Sequence, residues 1–249
     1  MAEPRHLSRA PAREALIDIQ FEPSVERLAI EDFCKQLTTE FPKQSDLWEA
    51  FVGFSLDGKQ LPPNATHTVI GKRLDSNEVP HVLQCRTTGF TFSRLSPYGE
   101  WQDLRNEAHR LWTIFHAVVR PQTVKRIAVR YINEIKLPLP MDDFGDYLVC
   151  PPNVPESLPQ TVSGFLHRVI SPDDSNNCVA AITQAVEGAP VSQNGQMFVN
   201  LILDIDVFRT VTLDCGNFGE IWGVLDVLRD QKNKVFFGYL TEKTVEMFV

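Results

Sequence analysis

The feature that most limits what this chain can fold into is an echo between its two halves. Glu14 to Pro23 reads as a strand stopped by proline, and Ala128 to Pro138 repeats that design. Tyr98-Gly-Glu-Trp101 opens a long helical pattern, and Phe218-Gly-Glu-Ile221 opens another at nearly the same offset. Two short matches at nearly the same offset suggest a duplicated unit. The expected fold is therefore α+β. Two repeated strand–helix–three-strand–helix units should form largely antiparallel sheet, with helices packed on one face.

Local patterns supply the elements. Ile17, Ile19 and Phe21 alternate with Asp18 and Gln20, as in a half-buried strand. After Ser24, a suitable cap, Val25, Leu28, Phe33, Leu37 and Phe41 recur at helical spacing. Strands are expected over Trp48–Leu56, Thr66–Leu74 and His81–Leu95, the last with a bulge or bend at Gly89. Asp57-Gly58 reads as a turn and Leu61–Asn64 as a loop. Ser96-Pro97 reads as the start of a helix whose stripe is Trp101, Leu104, Ala108, Leu111, Phe115 and Val118.

In the second half, Ile127, Val129, Tyr131, Ile135 and Leu137 share one face of a strand that Asn133 interrupts. That asparagine should be buried and should need partners. Met141–Leu148 is expected to be a short helix and Pro151–Pro159 a loop. Strands follow over Ser163–Ile170, Asn177–Glu187 and Met197–Phe208. Asn217 with Glu220 resembles a capping box. Ile221, Leu225, Leu228 and then Val235 and Phe236 carry a long helix, and Thr241 caps a final short one. Residues 1–13 read as a flexible N-terminal tail. Residues 14–249 read as one domain of two halves, 14–121 and 124–249, because so little chain separates the first half's last helix from the next strand.

Bulk properties exclude some functions. The 249 residues carry a formal charge of −8, which argues against a generally basic nucleic-acid-binding surface. No run approaches the roughly 18 apolar residues that span a bilayer. The opening stretch has Arg5, Arg9 and Arg13 but no apolar core, so a secretory signal is not expected. Five scattered cysteines without a C-x-x-C pair read as free thiols in a reducing cytoplasm.

Four phrases, Phe92–Trp101, Arg126–Pro138, Gly164–Val169 and Lys234–Phe248, resemble a sporadically distributed family of uncharacterised bacterial proteins of about this length. The resemblance runs over nearly the whole chain, and Arg130-Tyr-Ile-Asn133 is its most specific part. It implies a prokaryotic cytoplasmic protein and carries over no activity. A sporadic distribution fits a gene moved horizontally, as in defence or toxin–antitoxin islands.

Three kinds of chemistry have candidates. Asp204-Ile-Asp206 places two carboxylates on one face of a strand, about 7 Å apart along it. Such a pair could hold Mg²⁺ for phosphoryl or nucleotidyl transfer, with Glu134 and Asp18 completing the cluster. The competing reading is ion pairing with Arg126, Arg130 and Lys136 on neighbouring strands. His109 and His116 lie seven apart, too far for the i, i+4 spacing of a helical metal pair, and read as a polar helix flank. Finally, Arg126, Arg130 and Glu134 on one strand, with Arg168 on another, could bind an anionic ligand such as a nucleotide or a partner's carboxylate.

Three functions remain. A non-catalytic binding or interaction module, paired with a protein partner or with itself, is favoured. It requires an apolar patch or an extended sheet edge. The alternatives are a metal-dependent transferase centred on Asp204 and Asp206, and a small anionic-ligand pocket between the sheet and the long helices with Arg130 as anchor. No cofactor and no membrane contact are expected.

Overall fold

The computed structural model describes residues 2–51, 66–186, 188, 190–193 and 195–249. The expected turn at Asp57-Gly58, the loop at Leu61–Asn64 and the end of the strand expected over Trp48–Leu56 lie outside these residues.

The chain alternates strands β1 (Ala12–Glu22), β2 (Lys43–Phe51), β3 (Thr66–Asp75), β4 (His81–Arg86), β5 (Gly89–Leu95), β6 (Thr123–Leu139), β7 (Phe165–Asp173), β8 (Cys178–Val186), β9 (Val191–Gln193) and β10 (Gln196–Asp214) with helices. The helices, four among the described residues, are α1 (Arg27–Gln36), α2 (Trp101–Val119), α3 (Phe218–Tyr239) and α4 (Glu242–Glu246). All strands join one ten-stranded antiparallel sheet in the order β2-β3-β4-β5-β1-β6-β10-β8-β7, with β9 on β10. The midline is the β1–β6 pair, from Ala12 opposite Asn133 to Glu22 opposite Thr123. Each half places its first strand at the midline and its last beside it. The order runs outward as β1-β5-β4-β3-β2 on one side and β6-β10-β8-β7 on the other.

Alternation determines the two faces. Ile17, Ile19 and Phe21 of β1, Ile127, Val129 and Ile135 of β6, and Leu201, Leu203, Ile205 and Val207 of β10 are fully or almost fully buried. Over them, α2 packs on β1 and β5, and α3 packs on β6, β10 and β8. A cluster of Phe21, Phe33, Phe90, Trp112 and Phe115 fills the first half's core. The opposite face carries the polar members of the same strands.

Several local expectations differ from the structure. The segment expected as one bent strand over His81–Leu95 is a hairpin, β4 and β5, turning at Thr87-Thr88, so Gly89 opens a strand instead of kinking one. The helix expected from Ser96-Pro97 begins only at Trp101, because Tyr98–Glu100 runs extended and brings the Tyr98 hydroxyl to that of Tyr131 at 2.6 Å. The first helix is shorter than its apolar pattern: Leu37 and Phe41 are buried beyond its end, and Leu28 is exposed. Met141–Leu148 forms only a 3-10 turn at Phe144–Asp146, where Asp143 Oδ1 accepts from the Gly145 amide. Two caps follow the sequence, Asn217 Oδ1 accepting from the Glu220 amide and Thr241 capping α4, whereas Ser24 does not cap α1, whose cap residue is Glu26 with no side-chain capping bond.

Residues 2–11, read from sequence as a flexible tail, lie along α3 and α4. The Ala2 amide donates to the carbonyls of Phe237 and Leu240, and the Arg9 amide to that of Phe248. Arg5 pairs with Glu242.

Candidate functional site

The residues singled out from sequence lie on the polar face of the sheet, and most of them hold one another. Arg130 grips Asp204 with two bonds, Nε to Oδ1 at 2.8 Å and Nη2 to Oδ2 at 2.6 Å. Arg126 bridges Asp206 at 2.7 Å and Asp18 at 3.1 Å. Asp18, 7% exposed, also takes Arg86 at 2.6 Å and the Thr91 hydroxyl at 2.6 Å. The result is a chain of alternating charge, Arg86–Asp18–Arg126–Asp206, running from β4 through β1 and β6 to β10. Gly89 leaves room for it, since a Cβ there would lie 2.7 Å from Arg86 Nη2. The Arg126 guanidinium also covers the Phe208 ring at 4.4 Å.

Bidentate pairing holds the Arg130 guanidinium above its ordinary range, the bond to Asp204 being the main cause. The Asp206 carboxyl moves upward, because burial outweighs the attraction of Arg126 and Arg130. Its Oδ1 has no partner among the described residues.

This geometry does not form a metal cradle. Asp204 and Asp206 turn to guanidinium groups instead of converging on a third acid, and Glu134 faces Arg13 at 3.8 Å. Among the described residues no group of three or more His, Cys, Asp or Glu side chains is placed to hold an ion. Arg126 and Arg130, suggested as anion anchors, already carry carboxylates. Arg168 sits exposed on β7, two strands from Asp204, and joins none of them.

A pocket of about 550 Å³ opens on the other side of β6. Its walls are the first residues of the chain, the Tyr98–Gln102 stretch that opens α2, Tyr131 and Asn133 of β6, and the last turns of α3. The volume suits a small ligand. Asn133 is buried as its strand pattern requires. Its amide nitrogen donates to the Leu203 carbonyl at 2.9 Å, and Oδ1 takes no bond among the described residues. Tyr131 and Tyr98 share their hydroxyl bond here, and burial pushes both phenols up, Tyr131 well above its usual range.

The decisive group is Lys232. It is 8% exposed, and its ammonium lies 3.6 Å from the centre of the Tyr131 ring. No carboxylate pairs with it among the described residues. Burial, with Arg229 one turn earlier adding repulsion, pushes its pKa down to about 7. The N-terminus of α2 borders the same space, and Glu100, its cap residue, makes no side-chain capping bond. The free N–H groups of the first turn add positive potential there. Arg5 and His6 also line the pocket, and Glu100 is its one acidic residue.

No protein-family model matches the chain, and comparison with curated proteins finds no match. Three separate parts of the sequence meet at this pocket: Tyr98–Trp101, Tyr131 with Asn133, and Phe236 with Phe237.

Sequence reasoning missed Lys232, Arg229 and the two tyrosines as a site. One signal was present. The apolar stripe of α3 runs Ile221, Leu225, Leu228 and resumes at Phe236, and the position between Leu228 and Phe236 on that face is Lys232. A lysine in the gap of a buried stripe must find an anion, shed its proton or leave a cost unpaid.

Proposed function

We propose that this chain is a small-molecule-binding protein that takes an anionic ligand in the pocket between β6, α2 and α3. The observation that carries the reading is Lys232: buried, facing a cavity, and without a carboxylate. A buried cation retained for structure is normally paired. The α2 N-terminus supplies further recognition, Arg229, which pairs with Asp230 at 2.9 Å, adds positive charge at the rim, and Tyr98, Trp101 and Phe236 supply apolar wall. This keeps the location expected for an anion pocket and replaces Arg130 with Lys232 as its anchor. The test is calorimetric titration with pyruvate, citrate and pyrophosphate at a pH near 6.5. Lys232→Met should lower the affinity of the ligand that binds by about tenfold or more, roughly 1.4 kcal/mol. If the wild type gives neither heat nor thermal stabilisation with any of the three, the reading fails.

A second reading, the interaction module favoured from sequence, rests on β7. This strand ends the sheet with one edge unpaired, and Leu166 and Ile170 on the polar face are 69% and 62% exposed. Arg168 lies between them on the same face. An extended partner segment with an acid flanked by apolar residues would complement that row. A synthetic peptide of that pattern should bind the wild type and not an Arg168→Glu variant.

The two halves are read as copies of one unit, supported by the mirrored strand order about β1 and β6. In that reading α1 and β2 belong to the first copy alone, and the pocket lies where the two copies meet.

A further inference from the structure

The pocket's groups are suited to bond formation as well as to charge. Lys232 carries three N–H donors, and its one contact of note is the face of Tyr131. The charged and titratable groups around it are Arg229, paired with Asp230, on α3, Tyr131 on β6, Tyr98 and Glu100 before α2, and Arg5 and His6 on the first segment. Cations outnumber acids among them, and only the face of Tyr131 favours the ammonium form. A desolvated lysine beside another cation is the standard way to expose a neutral amine near pH 7.

Resting on the anion-pocket reading, we propose that Lys232 is a nucleophile that forms a reversible imine with a small aldehyde or ketone bearing a carboxylate or phosphate. The anionic group lies toward Arg229 and the α2 N-terminus, and the carbonyl carbon meets Nζ. The neutral amine attacks that carbon, and the C=O π pair moves to oxygen. Oxygen takes a proton and nitrogen gives one up, leaving a carbinolamine. The hydroxyl then departs as water with one further proton while the nitrogen lone pair forms the C=N bond, and loss of the N–H proton leaves the neutral imine. The sum is amine plus carbonyl giving imine plus water, so no oxidant or reductant is needed to form it. The Tyr98–Tyr131 hydroxyl pair stays protonated through burial. It holds two phenolic protons, one of them between the oxygens, and can lend the other to the departing hydroxyl.

The test incubates the full chain with pyruvate or glyoxylate and sodium cyanoborohydride, which reduces the imine to a stable secondary amine. Intact mass and peptide mapping then locate the adduct. One adduct per chain is expected, on Lys232. Its rate should rise with pH around 7, since the neutral fraction there exceeds that of an ordinary lysine by about a thousandfold. Lys232→Arg keeps a charge and removes the nucleophile, so it should lose the adduct. Tyr131→Phe should slow adduct formation about tenfold or more without changing its position. Labelling spread over surface lysines, or equal labelling in Lys232→Arg, overturns the proposal. Because the wild-type arm alone can do this, poor folding of a variant does not protect it. Lactate or phosphate binding without any adduct sinks the imine and leaves the anion pocket standing; absence of both sinks the two together.

Discussion

The two sides of β6 carry cations of opposite circumstance. On the polar face, Arg126 and Arg130 each hold carboxylates, and Asp18 takes two guanidiniums and a hydroxyl. On the helix side, Lys232 has an aromatic face and, among the described residues, no carboxylate. The difference separates structural charge from charge available to a ligand. An ion pair closed within the chain offers little to a ligand unless it is broken, whereas a buried cation left open raises its own cost until something enters or its proton leaves. The polar face looked more functional in sequence because its residues alternate visibly. The pocket looked ordinary because its residues come from four separate parts of the chain.

The sharpest way to break this contrast is at the centre of the ladder. Arg126→Ala strands Asp206 and leaves Asp18 to Arg86 and Thr91, and should cost about 3 kcal/mol in urea unfolding. Pyruvate or phosphate binding should be unchanged. If the variant loses binding while remaining folded, the ladder is part of the site and the contrast collapses.

Lys232→Met should act in the other direction on stability. It fills the same space without a charge, so it should stabilise the fold by about 2 kcal/mol at neutral pH while removing anion binding. The pH dependence has a definite sign. The folded pKa of about 7 lies below the 10.5 of a free lysine, so the unfolded chain holds more protons between them, and stability rises with pH across that window. The penalty of Lys232 is fully present below about pH 7 and fades as pH approaches that of a free lysine. The gap between Lys232→Met and wild type, followed by chemical denaturation from mildly acid to alkaline pH, should therefore narrow as pH rises. A constant gap would mean that Lys232 is not desolvated.

How much of this was legible in sequence depends on whether the signal was local. The strict alternation of β10, the Asn217 and Thr241 caps and the buried Asn133 were all readable, because period and cap chemistry are short-range. The β4–β5 hairpin was not, since Thr87-Thr88 lacks the glycine or asparagine that marks tight turns. The start of α2 was misplaced because Ser96-Pro97 carries the chemistry of a helix start, and only the long-range bond from Tyr98 to Tyr131 explains the extended entry. The ladder was half legible: Arg126 and Arg130 could be named as partners for Asp204 and Asp206, while Arg86 and Thr91 closing on Asp18 required the strand order. Lys232 is the extreme case. Its helical position is local, but its burial comes from β6, the Tyr98 stretch and the first residues of the chain.

Smaller effects refine the comparison. Tyr131→Phe removes the hydroxyl bond and leaves Tyr98 to find another partner, which should cost about 1 kcal/mol. The aromatic face under Lys232 survives, so phosphate affinity should fall less than twofold. A loss as large as that of Lys232→Met would mean that the phenol pair, and not the cation, anchors the ligand.

The smallest change in stability is expected at the open edge. Ile170→Lys replaces a side chain that is 62% exposed and touches no part of the pocket or the ladder, so unfolding free energy should move by about 0.5 kcal/mol or less. Any effect on association has to come from the edge itself. A second positive charge beside Arg168 would repel a basic strand and spoil the apolar contact of an acidic one, so binding of the alternating acidic peptide should weaken while pyruvate binding and adduct formation at Lys232 stay as they are. The two readings thereby come apart in one variant. The β7 edge serves a partner if only the peptide is lost, and the edge and the pocket are linked through β8, β10 and β6 if both are.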